Sequence, residues 1–342
     1  MRVLVVMNFG ADRATPQRGR WVTDQVEALR EGGLEVDLFS FRPGKDQYLP
    51  ATRKIRKMLG QTEYDLVHAH YGLAGWCAQL AGARPLVVTF HGTDVRHKVV
   101  GRMSRLLTRR IALVAGASRA LFEEEGGRPG LPKPQGRTAV LPCGADLSRF
   151  TPVDRRQARR QLGLDPDIPC LFFPADPGRP EKRFDRAREV AERTGARLLT
   201  GGGIEPEEMP LWVNAANAVL VTSQYEGFGL ACLEALACDV PVLSTPVGIA
   251  PHALRGLGRS LCLEFDPGTW SDFASALLAE ADPRVDGRPR AEALSARRMA
   301  NRVAFAYRDL LGTDGDPPVA NGENFTGGRV SDRNLGNDGV SL

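Results

Sequence analysis

A continuous apolar run of strand length occupies residues 3–7, and Val22, Val26 and Leu29 then recur at helical spacing until Gly32 and Gly33 stop the helix. The chain opens on a β-α unit. Short apolar runs follow at 36–39, 66–69, 85–90 and 112–116, separated by helical or irregular stretches, which predicts a parallel sheet covered on both faces. The theme then repeats. Strands are predicted at 170–173, 197–200, 219–222 and 240–244, and helices at 155–161, 183–193, 230–237 and 269–278. Two successive arrays imply two doubly wound α/β domains, with ligands bound beyond the carboxyl ends of the strands. The expected division is 1–152 and 153–296, a helix at 297–312 crossing back to the first domain, and a disordered tail at 313–342. That tail is dominated by Gly, Asp, Asn and Pro without periodicity.

At 342 residues, 42% hydrophobic and 25% charged, the chain can bury two cores without disulfide support, which excludes disordered, collagenous and small-scaffold classes. No apolar run approaches the roughly 20 residues of a membrane-spanning helix. The first residues lack the apolar core and cleavage site of a signal peptide and read as a buried strand. The six cysteines show no metal-ligand spacing, so reduced thiols and a cytoplasmic location are expected. Charge is uneven. Residues 1–150 hold 23 Lys and Arg against 14 Asp and Glu, and the rest 22 against 27. The first half therefore faces an anionic partner: a phosphate-bearing substrate, an acidic membrane or a nucleic acid.

Three segments could carry chemistry. In VVTFHGTDV, His91 stands where a strand ends, beside Gly92 and just before Asp94. A little upstream, His68 and His70 share one face of a strand, which invites a metal reading. The carboxylates show no accompanying ligand spacing, so hydrogen-bonded sheet-end histidines are preferred and no metal is expected. In PADPGRPEKRFD, Arg179 and Lys182 precede a helix start, a plausible diphosphate clamp where free amides add to the two cations. In SQYEGFGLACLEALACDVPVLST, Glu226 lies in a loop, Gly227 and Gly229 permit close backbone approach, and Glu234 falls on the following helix. The amides of Phe228, Gly229 and Leu230 can donate to ligand oxygens while the two carboxylates accept from vicinal hydroxyls. That is sugar-recognition chemistry. Gly201 to Gly203 matches no nucleotide fingerprint and reads as a turn.

Taken together, GRWVTDQVEAL, YDLVHAHYGLAG, TFHGTDV, LPCGADLSRFTP, GRPEKRFD and EGFGLACLEALACDVPVLST resemble the retaining GT-B glycosyltransferases of family 4. The resemblance implies two Rossmann-like domains facing a central cleft and transfer of a hexosyl unit from a UDP- or GDP-sugar to a hydroxyl acceptor. It makes Glu226 and Glu234 the family's paired glutamates. Glu234 would hold the nucleotide ribose, Arg179 and Lys182 the diphosphate, and Glu226 the donor sugar. The amides of Phe228, Gly229 and Leu230 would meet sugar hydroxyls or phosphate, His91 would reach the sugar from the first domain, and Gly19 would form the close-approach loop over the diphosphate. The family's same-face attack, assisted by the leaving phosphate, requires no protein nucleophile, cofactor or divalent metal. Three departures stand out: Gly19 lacks a paired glycine, Asp239 replaces a usual Gly, and His252 replaces a frequent Glu.

Other readings are a nucleotide-sugar epimerase or phosphorylase on the same fold, or a catalytically silent nucleotide-sugar-binding subunit. Peripheral contact with an anionic membrane is suggested by two basic stripes. One sets Arg53, Lys54, Arg56 and Lys57 around Ile55, Met58 and Leu59; the other sets Arg102, Arg105 and Arg109 opposite Met103, Leu106 and Leu107. An ordinary helix with a solvated basic face gives the same pattern. Nucleic-acid binding is not expected, because no stacking aromatics interleave the basic residues.

Overall fold

The computed structural model describes residues 1–11, 16–124, 129–133 and 137–313. It divides into two compact units. Of the described residues, the first comprises those in 1–11, 18–143 and 296–313, and the second 16, 17 and those in 144–295. The expected tail beyond Thr313 lies outside the described residues.

The first unit runs β1 (Arg2–Met7), α1 (Arg20–Glu31), β2 (Glu35–Ser40), α2 (Tyr48–Gln61), β3 (Leu66–His70), α3 (Gly72–Ala81), β4 (Leu86–Phe90), α4 (Thr93–Arg96), α5 (Lys98–Leu107), β5 (Leu113–Gly116) and β6 (Thr138–Val140). All pairings are parallel, in the order β2-β1-β3-β4-β5-β6. The chain therefore reverses its direction of winding between β1 and β3, and the strand ends there flank the kind of crevice in which doubly wound sheets bind ligands. Because the sheet is covered on both faces, β3, β4 and β5 are buried along their whole length.

The second unit runs α6 (Arg155–Gln161), β7 (Cys170–Phe173), α7 (Phe184–Thr194), β8 (Arg197–Thr200), α8 (Met209–Ala215), β9 (Ala218–Val221), α9 (Leu230–Ala237), β10 (Val242–Ser244), α10 (Ala250–Ala253), β11 (Leu261–Cys262), α11 (Pro267–Leu278) and α12 (Arg288–Ala293). Its parallel sheet has the order β11-β10-β9-β7-β8. Val190 of α7 and Trp270 and Ala274 of α11 pack with Leu171, Leu220 and Leu243 into one core. The last helix, α13 (Ala296–Leu311), belongs to the first unit, where Val303, Ala304 and Tyr307 share a core with Val22, Val26 and Leu29 of α1 and Val3 and Val5 of β1.

The units part before Gly144 rather than near Pro152. The reason is Arg288, whose guanidinium donates to the carbonyls of Leu147, Phe150 and Ala237 at 2.9 Å each, and so ties 144–152 to the second unit. Strands β6 and β11, three and two residues long, are too short for an apolar pattern to reveal. Among the described residues, no helix is long and apolar enough to cross a membrane, and all six cysteines are unbridged.

Candidate active site

In the second unit the site is assembled at the carboxyl end of β9. Thr222, buried just beyond the strand, donates its hydroxyl to the carbonyls of Lys182 and Arg183 at 2.9 and 3.0 Å. The Gln224 amide donates to the Glu181 carbonyl at 2.8 Å. These bonds hold the loop before α7 against the loop before α9, although the two are far apart in sequence. Lys182 consequently stands over Glu226, with Nζ 2.7 and 2.8 Å from its two carboxylate oxygens, and the Ser223 hydroxyl donates to Oε1 at 2.7 Å. Both side chains of the ion pair are only 14% exposed, so removing either one leaves a poorly solvated charge behind.

Arg179 is 52% exposed and pairs with Glu181 at 2.6 Å. Burial pushes the Glu181 carboxyl up, but its own amide and the Arg179 guanidinium outweigh this and hold it below the ordinary range. The two cations expected to form a diphosphate clamp thus each have a carboxylate partner already. Next to them Arg183 adopts a left-handed φ of 55° at the start of α7 and pairs with Asp185.

The stretch from Phe228 to Leu230 enters α9 through Gly229, whose φ of 93° is left-handed. The Phe228 ring is buried, so only its backbone is available to a ligand. Its carbonyl accepts from the Ile249 amide at 2.7 Å. Gly248 makes that approach possible: a Cβ there would lie 2.3 Å from the Phe228 oxygen and 3.0 Å from the Glu226 Cβ, and φ is 56°. Glu234 lies one turn into α9 and is half-buried. Gly201 to Gly203 form a turn after β8, and His252 is exposed on α10. Asp239, in place of glycine, keeps a left-handed φ of 54°, and its carboxylate accepts from the amides of Gly287 and Arg288 at 3.1 and 2.8 Å. The departure is thus explained by a capping role at the start of α12.

In the first unit His91 directly follows β4. Its Nε2 lies 3.0 Å from His70 Nδ1, and its ring meets Phe9 and Trp21 at 6.3 and 5.8 Å between centroids. His68 and His70 share one face of β3 as expected, their rings tilted with centroids 4.3 Å apart. Each is held by hydrogen bonds, His68 between the hydroxyls of Tyr307 at 2.6 Å and Thr89 at 2.7 Å. Burial pushes the His91 imidazole down to about 4 and His68, with a further push from His91, down to about 3. His70 is driven well below its ordinary value by burial and then by its two neighbours. All three are neutral near pH 7. Among the described residues no group of three His, Cys, Asp or Glu is placed to hold a metal ion.

Asp94, fully buried, accepts from the amides of His91 at 2.9 Å, Gly92 at 3.0 Å and Gly72 at 2.9 Å. It thereby fastens the turn after β4 to the turn after β3. Burial pushes its carboxyl up to about 6 against those donors. Gly19 caps α1 with φ 76°, where a Cβ would stand 2.6 Å from the Phe9 carbonyl oxygen; it shares the His91 end of the sheet through Phe9.

The structure brings Lys182, Glu226 and the 228–230 backbone together in one unit, with Gly19 and His91 near one another in the other. Ser223, Thr222, Gly248, Asp94 and Tyr307 were not singled out as working residues from the sequence. Asp94 alone had a usable signal, a carboxylate opening a short helix three residues after the strand-end histidine.

Two Rossmann-like units of parallel strands and covering helices define the GT-B architecture of glycosyltransferases, shared with sucrose-phosphate synthase from Thermosynechococcus elongatus. That structure is 21% identical, with a TM-score of 0.71 over 92% of this chain and 100% of the other. Anabaena HepE in complex with UDP and glucose superimposes with a TM-score of 0.61 at 18% identity, covering 91% and 98% of the two chains. The chain belongs to glycosyltransferase family 4: the family model of that name matches residues 19–149, and that of glycosyl transferases group 1 matches residues 179–279. Similar curated proteins are the D-inositol 3-phosphate glycosyltransferases of Geodermatophilus obscurus, 31% identical, and Actinosynnema mirum, 30% identical, each over 71% of this chain. The chain spans about two thirds of their length, 66% and 69%.

Proposed function

We propose that the protein transfers a hexosyl unit, with retention and without a metal, from a nucleoside-diphosphate sugar to a hydroxyl acceptor. The observation that carries this reading is the Lys182–Glu226–Ser223 group at the end of β9, beside the Gly229 entry to α9. UDP in complexes of a protein with the same fold supports the donor class. The anomeric C–O bond to the diphosphate breaks, the acceptor oxygen bonds to the same face of the sugar, and the acceptor proton passes to the departing phosphate oxygen.

The ion pair has a consequence for this chemistry. Diphosphate oxygens compete with Glu226 for Lys182, and as Lys182 turns to them the carboxylate becomes free to accept from sugar hydroxyls while Ser223 keeps it in place. Charge developing on the leaving group strengthens that exchange in the transition state, which is where electrostatic stabilisation accelerates a reaction. Arg179 is the second, more exposed cation for the phosphates, Glu234 accepts from the ribose, and the backbone amides of Phe228, Gly229 and Leu230 donate to sugar or phosphate oxygens. In the first unit His91 is a neutral imidazole for the transferred sugar, and Gly19 lets the chain pass close to a phosphate.

Calorimetric titration with UDP, GDP, ADP and TDP in EDTA tests the donor side. One diphosphate should bind, and Glu234→Ala should weaken it by about 1 to 3 kcal/mol, the worth of a charged hydrogen bond. Binding of none of the four overturns the reading. Product analysis separates the alternatives: a new glycoside of retained configuration marks transfer, and an isomerised donor marks an epimerase.

A further inference from the structure

Nine large apolar side chains are exposed among the described residues, and four of them, Leu80, Val99, Met103 and Leu106, lie on α3 and α5 of the first unit. The two helices pack side by side. Trp76 of α3 donates its ring N–H to the Met103 carbonyl at 3.0 Å, and the Arg110 guanidinium lies 5.9 Å over the same ring. From α2, Arg56 donates to the Leu80 carbonyl at 2.7 Å, which joins a third helix to the patch. Gly101, Ser104 and Leu107 form the buried face of α5, so Val99, Met103 and Leu106, at successive turns, make its outer stripe. Their exposures are 59%, 40% and 49%, and that of Leu80 is 60%.

Cations surround the stripe. Lys98, Arg102, Arg109 and Arg110 are exposed on and just after α5, and Arg53, Lys54, Arg56 and Lys57 on α2. Neither α2, α3 nor α5 contains an Asp or Glu. An ordinary surface helix turns its apolar side inward and only its charges outward. Here α5 presents both to solvent. Arg105, expected on the outer basic face, instead turns back to donate to the carbonyls of Val95 and Pro129, and Leu107 enters the core. What is left outside is an apolar strip with a basic border.

From this juxtaposition we infer that the α3–α5 face, bordered by the α2 cations, docks the protein on the surface of an anionic lipid bilayer. Leu80, Val99, Met103 and Leu106 enter the acyl boundary, and the half-buried Trp76 lies at headgroup depth with its N–H already satisfied. The guanidinium and ammonium groups meet lipid phosphates. Charge decides for lipid over a protein partner. The cations are spread over two helices with no interspersed acid, and a bilayer offers mobile anions that gather under each of them, whereas a protein would have to match every one. The inference is independent of the transferase reading.

The test is flotation of the full chain with vesicles of phosphatidylcholine alone and vesicles containing phosphatidylglycerol. Binding is expected only with phosphatidylglycerol, weakening as salt rises, with a blue shift in tryptophan emission that Trp76→Phe removes. The pair Met103→Glu and Leu106→Glu should lower the partition coefficient about tenfold or more, since it loses apolar area and adds like charge to the membrane. Leu263→Glu, an equally exposed position in the second unit, should leave it unchanged. Should the first pair fold poorly, Arg102→Glu with Arg109→Glu must give the same loss. No binding, equal binding to neutral vesicles, or undiminished binding in a folded variant pair overturns the inference. So does a concentration-dependent dimer that these substitutions dissolve, which would make a second copy the occupant.

Discussion

At the carboxyl ends of β3 and β4 the histidines are neutral and deeply buried, whereas at the carboxyl end of β9 the ionisable side chains are charged and paired. The first unit fixes His91 through backbone and a buried ring: Asp94 gathers three amides, His70 bonds the His91 imidazole, and His68, held by Tyr307 and Thr89, packs against His70. The second unit fixes Glu226 through side chains, by an ion pair and one hydroxyl. The difference is one of vulnerability. Rings that must stay neutral to remain buried are sensitive to protons, while a charge pair at a loop crossing is sensitive to the geometry that brings its partners together.

Acid should therefore separate the units, and this is the largest effect expected. A buried histidine whose folded pKa lies below the unfolded value of about 6.5 contributes stability above that pH and loses it as pH falls toward the folded value. At pH 5 each such imidazole removes about 2 kcal/mol, because the unfolded ring is protonated and the folded one is not. His68, His70 and His91 act together in this direction. Asp94 opposes them: its folded pKa of about 6 is above the unfolded one, so it gives back about 1 kcal/mol over the same interval. The net loss for the first unit is about 5 kcal/mol between pH 7 and pH 5. His252, the single histidine of the second unit, is exposed. Pulse proteolysis in urea at the two pH values should show first-unit peptides released much earlier at pH 5, with second-unit peptides little changed. Equal shifts in both units would mean that the buried histidines do not govern acid stability.

Gly248→Ala attacks the second unit's weak point instead. The added Cβ would meet the Phe228 carbonyl at 2.3 Å on a backbone with φ 56°, so the loop carrying Glu226 must move. A cost of about 1 to 3 kcal/mol in stability is expected, from strain of this kind. Nucleoside-diphosphate binding should fall with it. Gly19→Ala makes the matching test in the first unit, where the Phe9 carbonyl stands 2.6 Å away. If the ion pair alone positions Glu226, calorimetry on Gly248→Ala will show diphosphate binding unchanged at a temperature where the variant is folded.

How much of this was legible in the sequence depends on the range of the interaction. Apolar runs such as 86–90 and 218–221 announced their strands, because burial on both faces leaves a continuous hydrophobic signature. The segment from Glu226 to Glu234 announced a ligand loop because its glycines have a local conformational reason. The pairing of Lys182 with Glu226 had no such signature. It depends on Thr222 holding a loop about forty residues away, and Lys182 reads as a free cation for that reason, whereas Arg179 pairs with Glu181 only two residues on. His68 is likewise expected to be hydrogen-bonded without its partner being named, since Tyr307 sits on the last helix. Arg105 and Arg109, one turn apart, cannot be sorted into inward and outward by period alone.

The smallest effect expected concerns the two carboxylates that hold backbone amides, Asp94 and Asp239. Asp94 is fully buried and accepts three; Asp239 is half-buried, accepts two, and occupies a left-handed backbone position that glycine would take without strain. Two terms oppose each other at Asp239. The left-handed conformation costs an L-residue roughly 1 to 2 kcal/mol, and carboxylate capping of a helix start contributes about 1 kcal/mol. Asp239→Gly loses the cap and relieves the strain, so its urea midpoint should stay close to that of the wild type. Asp239→Ala loses the cap and keeps the strain, and should be destabilised by about 1 kcal/mol. Asp239→Asn should fall between Ala and wild type, since asparagine tolerates the left-handed region and keeps one acceptor. An alanine variant as stable as the wild type would show that the amides of Gly287 and Arg288 are as well served by water. The second unit would then have no carboxylate clamp comparable to the one that Asp94 provides in the first.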